Sequence, residues 1–168
     1  MVSDVTRVAV ISDTHLPAAG PDLPPGAIEL IESAAHLLHA GDVINPASLF
    51  DLRVLAGGSM TIVEGNRDHA LDLPDVATYE TDGVRVVLTH GHSFSGGVRY
   101  RDQLARVGDE YDAEVAIGGH THDVLDDVVE GVRVLNPGSV TGAAPAMEQT
   151  MQTLECAEND VSVTTHTF

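Results

Sequence analysis

The chain contains no lysine and no tryptophan. Its eight basic residues are all arginine, set against 26 aspartates and glutamates, which gives a formal net charge of −18 over 168 residues. Strong binding to a nucleic-acid backbone needs clustered cations that displace counterions, so that class of partner is not expected. Acid spread along a whole chain keeps a protein hydrated through self-repulsion, and the expectation is a protein suited to a salt-rich (halophilic) cytoplasm. No apolar run reaches the ~18 to 20 residues that span a bilayer, and the opening Met1-Val2-Ser3-Asp4 lacks a basic stretch followed by an apolar one. A cytoplasmic protein with no membrane partner is expected. The one cysteine, Cys156, has no second thiol for a disulfide or a metal pair and reads as an inert packed side chain. The length suits one domain over residues 1–168.

What is present is a set of short apolar runs that each stop at polar residues. Residues 5–11, 37–40 and 60–63 read as buried strands, separated by helices at 27–32, with Pro24-Pro25 at its start, and at 47–55, introduced by Asn45-Pro46 and closed by Gly57-Gly58. This alternation implies a parallel sheet, in which ligands collect beyond the C-terminal strand ends. In the second half, 76–81 and 84–88 flank Asp82-Gly83, and 124–129 and 132–135 flank Glu130-Gly131, two hairpin signals. A helix is expected over 100–107, a strand at 115–117, and a closing pair at 147–156 and 161–167. The fold class is therefore α/β, with sheet packed on sheet and helices outside.

Five motifs follow those strands: Asp13-Thr14-His15, Gly41-Asp42, Gly65-Asn66-Arg67-Asp68, His90-Gly91-His92 and Gly118-Gly119-His120-Thr121-His122. Carboxylate, amide oxygen and imidazole without thiolate suit Mn, Fe, Co, Ni or Zn better than Ca. On an extended chain, residues two apart share a side, so Asp13 with His15, and His120 with His122, could each chelate one ion. Gly41, Gly65, Gly91 and Gly119 would let the backbone turn sharply beside the ligands. His36, His39, His69 and His166 read as packed or surface residues.

The ordered series of these motifs, continued by Asn136-Pro137-Gly138-Ser139, resembles the calcineurin-like metallophosphoesterase superfamily, in size and wording its small bacterial and archaeal phosphodiesterase branch. The resemblance runs from Val8 to about Val140 and implies two packed mixed sheets flanked by helices. It implies two divalent cations, Mn first with Ni, Zn, Fe, Co or Mg as alternatives. One would lie on Asp13, His15, Asp42 and His122, the other on Asp42, Asn66, His90 and His120, with Asp42 as bridge. Two cations ~3.5 to 4 Å apart can share a hydroxide aimed at phosphorus, so no serine or cysteine nucleophile is needed.

Many members of the family have histidine where this chain has Arg67, which cannot donate a proton near neutral pH. Arg67 is expected to hold a phosphate oxygen, Asp68 to orient Arg67 or the Asn66 loop, and His92 to reach the mouth of the site as substrate contact or proton donor. The expected substrate is a small phosphodiester, with a phosphomonoester as the alternative. The retromer scaffold subunit resembles the same fold and serves as a binding module, but here all seven ligand positions carry coordinating residues. A closed zinc site would use only four ligands. The loops 17–25 and 92–98 border the site and are where substrate contacts are expected. The oligomeric state, a homo-oligomer included, is left open.

Overall fold

The computed structural model describes residues 4–20 and 22–168. Met1, Val2, Ser3 and Pro21 lie outside the described residues, so the reading of the chain's opening and part of the 17–25 loop fall outside them too. In chain order the elements are β1 (Thr6–Ile11), α1 (Pro25–Ser33), β2 (His36–His39), α2 (Pro46–Leu55), β3 (Met60–Ile62), β4 (Val76–Thr81), β5 (Val84–Thr89), α3 (Tyr100–Glu110), β6 (Val115–Ile117), β7 (Val124–Val129), β8 (Val132–Pro137), β9 (Thr150–Ala157) and β10 (Asp160–Thr167). Two five-stranded mixed sheets result, ordered β10-β9-β1-β2-β3 and β4-β5-β6-β8-β7.

In the second sheet the parallel strands β5, β6 and β8 form the middle, with antiparallel β4 and β7 on the flanks; in the first, β1, β2 and β3 run parallel with β3 at the edge, and antiparallel β9 and β10 cover the other side. The hairpins turn where expected, because Asp82 and Gly83 (φ 50° and 78°) and Glu130 and Gly131 (φ 49° and 86°) supply the paired positive φ of a two-residue turn. Glu158 and Asn159, at φ 50° and 64°, close β9 onto β10 in the same way.

Period-two alternation builds the layers. On β1, Val8 and Val10 face the second sheet and meet Leu88, Ile117 and Leu154, whereas Ala9 and Ile11 face α1 and α2. On the other sheet Val87, Ala116 and Val134 pack under Leu104 of α3. The order is thus helices, sheet, sheet, helix, with apolar seams at every interface. Cys156 lies in the seam between the sheets, and burial pushes its thiol up to about 11, consistent with an inert side chain.

Several boundaries differ from the sequence expectation, four of them with consequences. The strand expected from residue 147 starts at Thr150, because Met147 is 96% exposed and has no strand to pair with. α3 continues three residues further, to Glu110, where the Tyr111 N–H closes onto Val107. β5 and β8 extend to Thr89 and Pro137, so both reach the ligand-bearing turns directly. The consequence for function is that six parallel strands end on one side of the molecule, and all five motifs follow those ends.

Candidate metal centre

Asp13, His15, Asp42, His90 and His122 are buried at the strand ends, while Asn66 and His120 are exposed. The extended-chain reasoning for the i, i+2 pairs is corrected by the structure. Asp13, His15, Asp42, His120 and His122 all adopt positive φ, between 46° and 70°, a region that L-residues occupy at a cost and that concentrates at functional sites. The left-handed turns send His120 and His122 to different places: His122 Nε2 lies 3.0 Å from Asp13 Oδ1, whereas His120 Nδ1 lies 3.1 Å from Asn66 Oδ1. They do not converge on one point as a simple His-x-His chelate would.

One half of the centre is formed by Asp13, His15 and His122. His15 Nε2 is 3.7 Å from Asp13 Oδ1 and 3.2 Å from Asp42 Oδ2. The other half gathers His90, Asn66 and His120. His90 Nε2 is 3.1 Å from Asn66 Oδ1 and 3.6 Å from Asp42 Oδ2. Asp42 Oδ1 is taken by the Arg67 backbone N–H at 2.9 Å, which leaves Oδ2 as the oxygen that faces both halves.

The imidazoles are aimed from behind. His90 donates from Nδ1 to the Ala40 carbonyl at 2.6 Å, and His122 donates from Nδ1 to the Ala143 carbonyl at 2.7 Å, so each presents Nε2 to the carboxylates. Asp13 is set by the Ser12 hydroxyl (2.6 Å) and the His120 backbone N–H (3.0 Å), both donating to Oδ2, which leaves Oδ1 turned inward. Glycine is required where the turns pass these carboxylates: a Cβ on Gly65 would lie 2.1 Å from Asp42 Oδ1, and one on Gly119 2.8 Å from Asp13 Oδ2.

Protons and charge reflect this crowding. Burial alone would push the Asp13 and Asp42 carboxyls up, but the facing histidines hold both well below the usual carboxylate range. Asp13 and then Asp42 raise His15 to about 9, and Asp13 raises His122. Burial lowers His120. Without a cation, His15 above all carries positive charge that offsets the buried carboxylates.

The donor set fits a divalent cation better than it fits itself. Asp13 Oδ1 and His15 Nε2 are buried, and although Asp13 Oδ1 stands 3.0 Å from His122 Nε2 and His15 Nε2 3.2 Å from Asp42 Oδ2, neither makes a well-directed hydrogen bond, an expensive condition for polar atoms. Two groups, Asp13 with His15 and His122, and Asp13 with Asp42 and His90, each bring ligand atoms within 4.8 Å of one another. Donors that share one ion at ~2.0 to 2.2 Å stand roughly 3 to 4 Å apart, and the separations here run from 3.0 to 3.9 Å.

The remaining expectations meet mixed outcomes. Arg67 is exposed and forms no ion pair among the described residues, so its guanidinium is free beside Asn66. Asp68 does not pair with Arg67: it is fully buried and accepts the backbone N–H groups of Asp42 (2.7 Å), Ile44 (2.8 Å) and Gly65 (2.9 Å). It organises the Asp42 turn from beneath instead of touching the surface. His92 is half-buried, its ring centroid 5.5 Å from that of His90 and 6.4 Å from that of His120, with Nδ1 buried and unpartnered.

Sequence reasoning missed several supports. His39 is packed, as expected, but it also accepts the Gly41 N–H at Nδ1 (3.1 Å) and so donates from Nε2 to Thr14 Oγ1, tying two ligand turns together. Ser139 donates to the Asp13 carbonyl (2.8 Å) and Thr141 to the Thr14 carbonyl (2.8 Å). Asn136 holds Gly119 and Thr121 in place, which gives the Asn-Pro-Gly-Ser motif a role. The position of His39 two residues before Gly41 was the one available signal for it.

Comparison with known proteins agrees with this geometry. A chain named "probable metallophosphoesterase" from Methanothermobacter thermautotrophicus is 35% identical over 136 residues, 80% of this chain and 77% of that one. Another of that name from Methanocaldococcus jannaschii is 33% identical over 135 residues, covering 80% and 68%. The vacuolar protein sorting 29 structure of Cryptosporidium parvum shares the fold at a TM-score of 0.79 and 20% identity, covering 98% of both chains. Residues 6–159 match the model of the calcineurin-like phosphoesterase superfamily domain, and with strand ends, ligand turns and relatives in agreement, the chain belongs to that superfamily.

Proposed function

We propose that this protein hydrolyses a phosphodiester at a centre of two divalent cations, manganese first among them. The observation that carries the reading is Asp42 Oδ2, which faces His15 at 3.2 Å and His90 at 3.6 Å while Oδ1 is held by backbone. Asp13, His15 and His122 would hold one cation, Asn66, His90 and His120 the other, and Asp42 both. Two cations so held would supply a shared hydroxide as nucleophile and neutralise charge on the phosphoryl group.

The chain's own side chains supply the rest. Arg67, exposed and without an ion pair among the described residues, would hold a non-bridging phosphoryl oxygen and stabilise charge as it develops. Asp68 keeps the Asp42 and Gly65 turns in register, and His92 borders the exposed half of the centre. A diester has one negative charge to neutralise and a monoester two. A single arginine beyond the cations favours the diester. A scaffold without catalysis is disfavoured by the buried carboxylates and imidazoles crowded at 3.0 to 3.9 Å, donors that a binding surface has no use for.

The test is hydrolysis of a chromogenic diester and its monoester counterpart by metal-stripped protein, with Mn, Ni, Zn or Mg restored, in molar KCl and beside Asp42→Ala. Metal-dependent diester cleavage that disappears in Asp42→Ala is expected. Failure to bind any of these metals would overturn the reading and favour the scaffold.

A further inference from the structure

A groove of about 440 Å³ lies between α1, α2 and the loop that follows His15. Its size lies within the ~300 to 1,000 Å³ usual for small-molecule sites. Aliphatic side chains form its walls: Leu16 and Leu23 from the loop, Ile28 from α1, Leu52 and Leu55 from α2. The groove is tied to the metal centre through the chain, because its lining residue Leu16 directly follows the ligand His15. The His15 N–H bonds the Asp42 carbonyl at 3.2 Å, and the Leu16 carbonyl accepts from Asn45 Nδ2 at 2.8 Å and from Ser48 at 3.4 Å. Leu16, Asn45 and Ser48 all line the groove.

Its chemistry says what it cannot hold. No arginine or histidine lines it, so it offers a phosphate nothing to bind, and Asp22 and Asp51 line it as carboxylates without ion-pair partners among the described residues. An anionic occupant would meet like charge. An apolar occupant that is neutral or cationic would bury against the aliphatic wall, with any hydroxyl or amine facing those carboxylates.

We infer that the groove between α1 and α2 is a specificity subsite for the apolar, non-anionic alcohol portion of the substrate, which makes the substrate a diester with one aliphatic arm. This rests on the proposed phosphodiesterase reading. The experiment compares p-nitrophenyl diesters whose second arm is methyl, hexyl or 5-carboxypentyl, in wild type and in Ser48→Phe, whose ring fills the groove. Each buried methylene favours binding by up to about fourfold, so kcat/KM is expected to rise at least about tenfold from methyl to hexyl and to fall again for the carboxylate arm. In Ser48→Phe the hexyl-to-methyl ratio is expected to collapse toward one. In parallel, the methyl NMR signals of Ile28 and Leu52 in wild type are followed during titration with O-hexyl methylphosphonate, with the O-methyl compound as control. Shifts with the hexyl probe alone support the subsite even if neither ester is turned over, an outcome that would remove the proposed function and leave the groove. Equal turnover of methyl and hexyl esters, a hexyl preference that survives in a folded Ser48→Phe, or silent methyl signals would overturn it.

Discussion

The two halves of the centre differ in burial and in charge. Asp13, His15 and His122 are all sunk at the strand ends, held by charge and by Ser12, Ser139 and the Ala143 carbonyl, whereas in the more exposed half only His90 is buried and Asn66 and His120 stand in solvent and meet through a neutral amide. Low local dielectric strengthens the buried half's hold on a cation, and it also makes the empty state costly. The exposed half has less to lose. A cation there is expected to bind more weakly, exchange faster and stand nearer the substrate, beside the free Arg67.

The largest expected effect comes from removing what the halves share. Asp42→Ala should lower kcat/KM by roughly 10²- to 10³-fold, because the cations that would stabilise transition-state charge lose their shared ligand, and metal analysis should find neither ion retained. Next come the halves taken separately. Asp13→Ala or His122→Ala should strip metal more completely than Asn66→Ala or His120→Ala, which should leave one ion per chain. The opposite order in metal content measured by mass spectrometry would break the comparison.

Proton competition sharpens it. In the metal-free protein His15 holds its proton up to about 9 because of Asp13 and Asp42, so a cation entering the buried half must displace that proton. Affinity at this half should rise as pH goes from 6 to 9, while the other half, where against its burial the facing carboxylates raise His90 but burial lowers His120, should change less. Calorimetric titration at three pH values checks this. Stability of the metal-free protein should follow the same groups. The His15 contribution is present below its ordinary 6.5 and lost as pH rises through about 9. His39, pushed down to about 4 by burial, contributes above 6.5 and loses that contribution as pH falls toward 4.

A smaller effect is expected from His39→Leu, which touches no ligand yet frees Thr14 and the Gly41 N–H. Behind-the-ligand partners of this kind typically matter ~10- to 100-fold in metal affinity. Restoration by His39→Gln, which keeps a donor and an acceptor, would separate positioning from packing. The gentlest lever is salt. With a net charge of −18 and no lysine, unfolding midpoints should rise from low to molar KCl, and flat midpoints would remove the salt-rich reading.

Much of the fold was legible because its signals are local. The β-branched runs, the Asp82-Gly83 and Glu130-Gly131 turns and the Asn45 cap, whose side chain accepts the Ser48 N–H at 2.9 Å, each depend on neighbours in sequence. The start of β9 was misplaced because apolar Met147 has no local mark of exposure. Family resemblance gathered the ligand set, yet the reason given for the Asp-x-His and His-x-His pairs was wrong. Those turns are left-handed, which spacing alone does not show.

By itself, then, the sequence determined the strands, the donor types and the absence of thiolate from the set, all carried by residue chemistry and short-range spacing. Tertiary structure decided which imidazole faces which carboxylate. The carbonyls that aim His90 and His122 belong to Ala40 and Ala143, 50 and 21 residues away, and the oxygen of Asp42 left free is chosen by the Arg67 backbone, 25 residues on. Hydrogen bonds across such separations exist only once two sheets have packed and brought their strand ends together, so no window of sequence contains them.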